Sequence, residues 1–316
     1  MIEEILVSQG DRELVSTLCG TLLNEVKGLP EAEVASAARI RAEFLPLSIR
    51  AALLEFVHKD AAPAICFRSL TTLSSECGDS PARPSQAREV SNSVQACLAM
   101  IMSLTGRLVA YSGQQNGRIF NDVVPVPEMA NVPNSSSGSA EDFDFHTEDA
   151  YHDYPPDYVG LYCIRNLEKA ETLVSWITPH AMPREVFALL SSPIIANLPN
   201  SGSLMNEGQA VPRPIVFGES EWPYLQVNLA RLGGAKVGEV ADAVAWLRQH
   251  LSANAVTIVL EPDDLIILNN LRAVHGRRSF RSTDGPRRRW LIRTLTRTDA
   301  RRPPSRRDGS EYRFTL

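Results

Sequence analysis

The spacing of apolar positions changes character about a third of the way along the chain. Leu14, Val15, Leu18, Cys19, Leu22, Leu23 and Val26 recur at intervals of three and four, which predicts one amphipathic helix over residues 11–28. The Ala- and Glu-rich stretch 31–59, carrying Leu53, Leu54 and Phe56, predicts one or two more helices, interrupted at Pro46 and closed by His58-Lys59-Asp60. Ala64-Ile65-Cys66-Phe67 is short and apolar enough for a strand, and residues 73–87 are Ser-, Pro- and Gly-rich and read as a loop. Val90, Val94, Cys97, Leu98, Ile101 and Leu104 then define a further helix that ends at Gly106.

After Gly106 the pattern becomes short apolar runs separated by turn residues. Residues 108–111 precede a turn at Asn116-Gly117, and Arg118 to Val126 is expected as the hairpin partner. Residues 131–140 are too polar to be expected to pack, and their place just before His146 makes them a candidate lid. Strands are expected at 158–164, 172–177, 215–217, 224–229, 256–260, 265–268 and 290–295, with helices at 183–190 and 239–251 and a polar excursion at 196–214. This predicts a mainly β protein with flanking helices, built on an antiparallel two-sheet jelly roll. Residues 1–316 are expected to form a single domain: a mostly helical part (1–105), a core (106–297) with a helical insert at 235–253, and a tail (298–316). No strand, Gly-rich loop and helix follow one another, so no nucleotide-binding unit is expected.

Composition narrows the setting. A net charge of −5 argues against a nucleic-acid partner. The Arg-rich segment 287–307 is the local exception, but its arginines alternate with Trp290, Leu291, Ile292 and Leu295, as in a strand aiming guanidinium groups into a site. No apolar run is long enough for a membrane span, and Met1-Ile2-Glu3-Glu4 is acidic where a signal peptide would be basic. Five cysteines without CxxC spacing are expected as reduced thiols in a cytoplasmic protein.

The chemistry concentrates in two stretches. In His146-Thr147-Glu148, a strand would turn His146 and Glu148 to one face, and His275 arrives far downstream in Asn269-Asn270-Leu271-Arg272-Ala273-Val274-His275-Gly276-Arg277. Two imidazoles and one carboxylate form the facial set that suits non-haem Fe(II) with open coordination positions. His-x-Glu alone is usually a surface pair, and what raises it here is its conjunction with His275 and with Arg289-Trp290-Leu291-Ile292-Arg293. His152 is expected to be structural, and His58, His180 and His250 to lie at the surface.

The run from His146 to His152, continued by Pro156-Asp157-Tyr158-Val159-Gly160-Leu161-Tyr162, together with the second block from Asn269 to Arg293, resembles the clavaminate synthase group of Fe(II)/2-oxoglutarate oxygenases. The resemblance runs from about residue 106 to 297 and is nearest to free-amino-acid hydroxylases of the arginine and asparagine β-hydroxylase type. It implies a double-stranded β-helix with iron held by His146, Glu148 and His275. It also implies that Arg289 and Thr172 hold the distal carboxylate of 2-oxoglutarate, that Arg293 takes the α-carboxylate of an amino acid, and that Gln114 or Gln115, with Glu148, meets its α-amine. The implied reaction hydroxylates C3 or C4 of a free L-amino acid while 2-oxoglutarate and O2 become succinate and CO2.

Relatives acting on cationic substrates carry acidic residues after the Pro-Tyr-Leu segment. Here Pro223-Tyr224-Leu225-Gln226-Val227-Asn228 offers Gln226 and Asn228, which leaves lysine, a neutral polar amino acid or a modified amino acid open beside arginine. Two alternatives accompany this reading: the same chemistry on a carrier-bound or peptidyl amino acid, and a non-catalytic, cupin-like metal-binding protein. A homo-oligomer is left open.

Overall fold

The computed structural model describes residues 1–60, 62–112, 114–199, 210–234, 237–283 and 285–299, and the backbone of 313–314. Most of the expected tail at 298–316, the centre of the excursion at 196–214 and the start of the insert at 235 therefore lie outside the described residues. The chain opens with a strand that the apolar pattern does not predict, β1 (Glu3–Leu6), which pairs in parallel with a later strand. Helix α1 (Gln9–Val26) is capped by the Ser8 hydroxyl accepting the Asp11 N–H, and it buries Val15, Cys19, Leu22 and Val26. Helix α2 (Glu31–Arg41) has acids in its first turn and arginines in its last, matching the helix dipole. Helix α3 (Leu47–Lys59) starts after Pro46 and stops at Asp60, which adopts a left-handed conformation with φ 47°. After β2 (Ala64–Arg68), helix α4 (Ser93–Ser103) is closed by a capping box between Asn92 and Gln95 and is buried on nearly every side.

The remaining strands form two principal sheets. They are β3 (Arg107–Tyr111), β4 (Asn121–Val123), β5 (Phe143–His146), β6 (Tyr158–Arg165) and β7 (Glu171–Trp176), followed by helix α5 (Arg184–Leu190). Four two-residue strands come next: β8 (Ala196–Asn197), β9 (Val216–Phe217), β10 (Tyr224–Leu225) and β11 (Leu232–Gly233). Helix α6 (Gly238–Ala253) then leads to β12 (Val256–Val259), β13 (Leu265–Asn269), β14 (Ala273–Arg277), β15 (Trp290–Arg297) and β16 (Arg313–Phe314). The larger sheet runs β1-β2-β13-β6-β15-β3-β16, with β4 also on β15, and the smaller runs β12-β7-β14-β5. Helices α1 to α4 share one apolar cluster with the larger sheet, and a second cluster, including Val159, Leu161, Val174, Ile266 and Leu291, joins residues of the two sheets. Among the described residues no helix is long and apolar enough to cross a membrane.

Two expectations are corrected. The hairpin of residues 108–126 does not form: β3 and β4 both pair with β15, Val109 opposite Leu295 and Asn121 opposite Arg293, so they lie end to end along one edge. The residues between them instead bury Ile119 and Phe120 in the core. The expected strand at 224–229 is reduced to Tyr224–Leu225, because the N–H groups of Val227 and Asn228 go to side chains, the Thr147 hydroxyl at 3.0 Å and the Asn197 amide oxygen at 2.8 Å. Arg272 lies over the rings of Trp222 and Tyr224, at 4.3 and 3.7 Å from their centroids. Its guanidinium also meets the Asp60 carboxylate at 2.8 Å, which in turn accepts from the Tyr224 hydroxyl at 2.7 Å and the Asn269 amide at 2.6 Å.

Candidate metal and co-substrate site

His146 ends β5 and stands directly opposite His275 on β14, with ring centroids 4.2 Å apart. The approach of the two strands is close, since a Cβ on Gly276 would sit 2.6 Å from the Phe143 carbonyl. Glu148 is not on the strand, contrary to the alternation argument. The chain leaves β5 after His146, the Thr147 N–H bonds the Val227 carbonyl at 2.7 Å, and Asn270 then clamps Glu148 from both sides. The Asn270 oxygen accepts the Glu148 N–H at 2.7 Å, and its amide donates to the carbonyls of Glu148 at 3.1 Å and Pro156 at 2.8 Å. The outcome is still convergence: one ligand atom each from His146, Glu148 and His275 lie within 4.8 Å of one another, and all three residues are buried.

The donor set fits a divalent metal with room for further ligands. His146 Nδ1 lies 2.9 Å from the Asp144 carbonyl, which can only accept, so Nδ1 carries the proton and Nε2 keeps its lone pair. Burial lowers the pKa of His146, and burial with the neighbouring His146 lowers that of His275 further, so both imidazoles are neutral donors. His275 Nε2 is 3.8 Å from Glu148 Oε2.

Arg289 is the second signature. Its side chain is buried, makes no hydrogen bond or ion pair among the described residues, and lies 5.7 Å from the Phe280 ring centre, while burial holds its pKa below the usual value. It lines the same cavity as the three candidate ligands, together with Thr172, Ser136, Leu161 and Leu291. A desolvated guanidinium beside a hydroxyl and apolar walls suits one carboxylate of a short diacid. The backbone N–H of Arg289 is held by Glu168 Oε1 at 3.0 Å.

Residues 137–139 are buried, contrary to the expectation that the segment 131–140 is too polar to pack, and Ser136 lines the cavity. Ser137 and Ser139 are buried, and Arg277, itself buried with its pKa pushed down to about 10, donates to the Gly138 carbonyl at 2.7 Å and the Glu141 carbonyl at 3.0 Å. A distant cation thus satisfies carbonyls that composition alone assigns to solvent.

At the other end of the cavity, Arg293 donates to Glu148 Oε1 at 2.7 Å, Gln114 Oε1 at 3.0 Å and Asn121 Oδ1 at 2.7 Å. Gln114 is therefore the inward glutamine. Gln115 is turned away, its amide bonding the Asp122 carbonyl at 2.9 Å, because the chain passes through left-handed conformations at Gln115 and Asn116. Asn228 is buried next to His146 but does not line the cavity, and its amide oxygen takes the Ala230 N–H at 3.2 Å. Gln226 donates to the carbonyls of Ala150 at 2.9 Å and His152 at 3.0 Å, tying the loop after Glu148 in place. His152 is structural as expected: it is buried, accepts the Tyr154 N–H at 3.0 Å and packs edge-on to Tyr111.

Three residues at the site were not singled out from sequence. Asn121 pairs across strands, which no local pattern reveals. Asn270 and Asp149 lie inside the two motifs. Asp149 takes a left-handed conformation at φ 54°, accepts from the Gln114 amide, and has its pKa pushed up to about 8 by burial and by Glu148.

Similarities to known proteins agree with this geometry. Residues 192–295 match the model of the family described as taurine catabolism dioxygenase TauD, TfdA family. The chain is 30% identical to L-asparagine oxygenase of Streptomyces coelicolor, covering 98% of this chain and 94% of that one. It is 27% identical to clavaminate synthase 2 of Streptomyces clavuligerus over 88% of each chain. A crystal structure of asparagine oxygenase in complex with Fe(II), 2S,3S-3-hydroxyasparagine and succinate superposes with a TM-score of 0.90 at 28% identity, covering 99% of both chains.

Proposed function

Because the chain belongs to the TauD/TfdA family of dioxygenases, we propose that it is an Fe(II)/2-oxoglutarate-dependent hydroxylase of a free L-amino acid, acting at C3 or C4. The convergence of His146, Glu148 and His275 beside the unpaired, buried Arg289 carries this reading. His146, Glu148 and His275 would hold the metal. When bound, Fe(II) with 2-oxoglutarate and O2 supplies the oxidising chemistry, with succinate and CO2 as co-products.

The protein's own residues then decide what is oxidised. Arg289 and Thr172 take the far carboxylate of 2-oxoglutarate and fix its length along the cavity. Arg293 takes the substrate's α-carboxylate, while Glu148 and Gln114 receive its α-amine. Anchoring both α-groups leaves the first side-chain carbons facing the metal, which is the basis for C3 or C4. A non-catalytic metal-binding protein would give Arg289 and Thr172 no purpose. We read the two sheets as a double-stranded β-helix within a single oxygenase unit spanning residues 1–316. A cytoplasmic location fits the five free cysteines.

The deciding experiment supplies Fe(II), 2-oxoglutarate and O2 with each protein amino acid and with ornithine. A mass increase of one oxygen on an amino acid, matched by succinate, is the expected result. Succinate release indifferent to every amino acid would overturn it.

A further inference from the structure

Arg293 is itself held, and the way it is held assigns a role to a residue outside both sequence motifs. Its two terminal nitrogens meet three oxygens, from Glu148, Gln114 and Asn121. Both protons of Nη2 are used by Gln114 and Asn121 and one proton of Nη1 by Glu148, which leaves the Nε–H and one Nη1–H. Nε is buried with no hydrogen-bond partner.

The three acceptors are not equivalent. Glu148 belongs to the metal set, and Gln114 enters from an irregular turn. Asn121 stands on β4 directly opposite Arg293 in the strand register, and it is 2% exposed. Its amide nitrogen donates to the Arg118 carbonyl at 2.9 Å, which turns the amide so that its oxygen faces the guanidinium. The backbone beneath it is fixed as well. The adjacent Asp122 carboxylate accepts from Arg118 Nη1 at 2.7 Å, Trp290 Nε1 at 2.9 Å and the Ser85 N–H at 3.0 Å. Ile119 is bonded on both sides, its N–H to Glu31 at 2.6 Å and its carbonyl to the Thr294 hydroxyl at 2.9 Å.

We propose that Asn121 is a positioning residue for the hydroxylation. By accepting from Nη2 with an amide that cannot turn over, it fixes the plane of the Arg293 guanidinium and so determines which N–H groups are presented to the substrate's carboxylate. That plane then sets where the substrate's side-chain carbons lie relative to the metal ligands. Without Asn121 the guanidinium turns more freely, binding weakens and the carbon to be oxidised is less well placed. The proposal rests on Arg293 being the carboxylate anchor.

The test compares wild type, Asn121→Ala, Asn121→Asp, Arg293→Lys and the double variant Asn121→Ala/Arg293→Lys. The probe is the amino acid giving the largest turnover in the screen above. Three quantities are read: the affinity for that amino acid by anaerobic calorimetry, the KM for 2-oxoglutarate, and the hydroxylated product formed per succinate. Asn121→Ala is expected to weaken amino-acid binding about tenfold, as for a lost hydrogen bond to a charged group. The 2-oxoglutarate KM stays within about twofold, while product per succinate falls. In the Arg293→Lys background the same substitution costs less than about twofold, because its target is gone. Asn121→Asp keeps the shape of the side chain and tests the idea should the alanine variant not fold. It weakens binding, since a second carboxylate competes for the guanidinium.

Unchanged affinity and coupling in both Asn121 variants, with Arg293→Lys impaired, would overturn the role of Asn121 alone. Equal rises in the amino-acid and 2-oxoglutarate constants would also overturn it, as plain structural damage. If Arg293→Lys binds the amino acid like wild type, or no amino acid is turned over at all, the anchor reading fails and the proposal with it.

Discussion

Arg289, just before β15, and Arg293, within it, stand four residues apart and line one cavity, yet their surroundings are opposite. The Arg289 side chain is buried and, among the described residues, without a hydrogen bond or ion pair, in a cavity that Thr172 and apolar side chains also line. Arg293 is bonded to three side chains before any ligand arrives. A guanidinium stripped of water with no internal acceptor gains strongly from a carboxylate. One already held by three acceptors gains less but keeps its orientation. On the proposed assignment, the co-substrate end is built for affinity toward one invariant diacid, and the substrate end for placing whichever carbon is to be oxidised.

The comparison can be broken at its centre. Glu148 belongs to both ends, through the metal set and through Arg293, and Glu148→Ala should lose bound iron and reduce succinate formation to background, as read by metal analysis and succinate assay. Arg289→Ala should raise the 2-oxoglutarate KM by roughly 30-fold or more, the usual scale for removing one partner of a buried charge pair, while amino-acid affinity holds. Equal damage to both constants would erase the division. Arg293→Ala should do the reverse, with a smaller loss of affinity and a larger loss of product per succinate. Thr172→Val, which removes only a hydroxyl, should raise the 2-oxoglutarate KM by about three- to tenfold.

The smallest effect concerns pH. Burial, opposed by the Ile119 N–H and Arg118, pushes the Glu31 carboxyl up to about 7. A folded pKa above the unfolded value means a stabilising contribution that is complete in acid and lost as pH rises through about 7. Glu31 supports the segment that presents Asn121, so Glu31→Gln should remove a fall of about 2–4 °C in thermal midpoint between about pH 5 and pH 8. An unchanged slope in calorimetry would show that Glu31 does not titrate there.

The convergence of the three candidate metal ligands is legible in the sequence because their residue types are dictated by coordination chemistry and two of them are two residues apart. The stated reason was nevertheless incomplete, since Asn270 and not strand alternation places Glu148. Features made by partners distant in sequence were not legible. The edge of β15 that breaks up the expected hairpin, the Arg277 bonds that pack residues 137–139, and the pairing of Asn121 with Arg293 all depend on chain that arrives more than a hundred residues later. The helices of the first third were read well because their signals, period and caps, are local. The exposed strand β1 carries no apolar period to read.

The stacking of Arg272 on Trp222 and Tyr224 and its bond to Asp60 have a practical bearing on exchanging specificity between relatives. The segment 222–226 is fastened to the end of a helix in the first sixty residues and to the turn that leads into His275. Transplanting that segment by itself would leave its two aromatic rings without the arginine and aspartate that hold them, so a working graft has to carry Asp60, Arg272 and the two rings as one cassette.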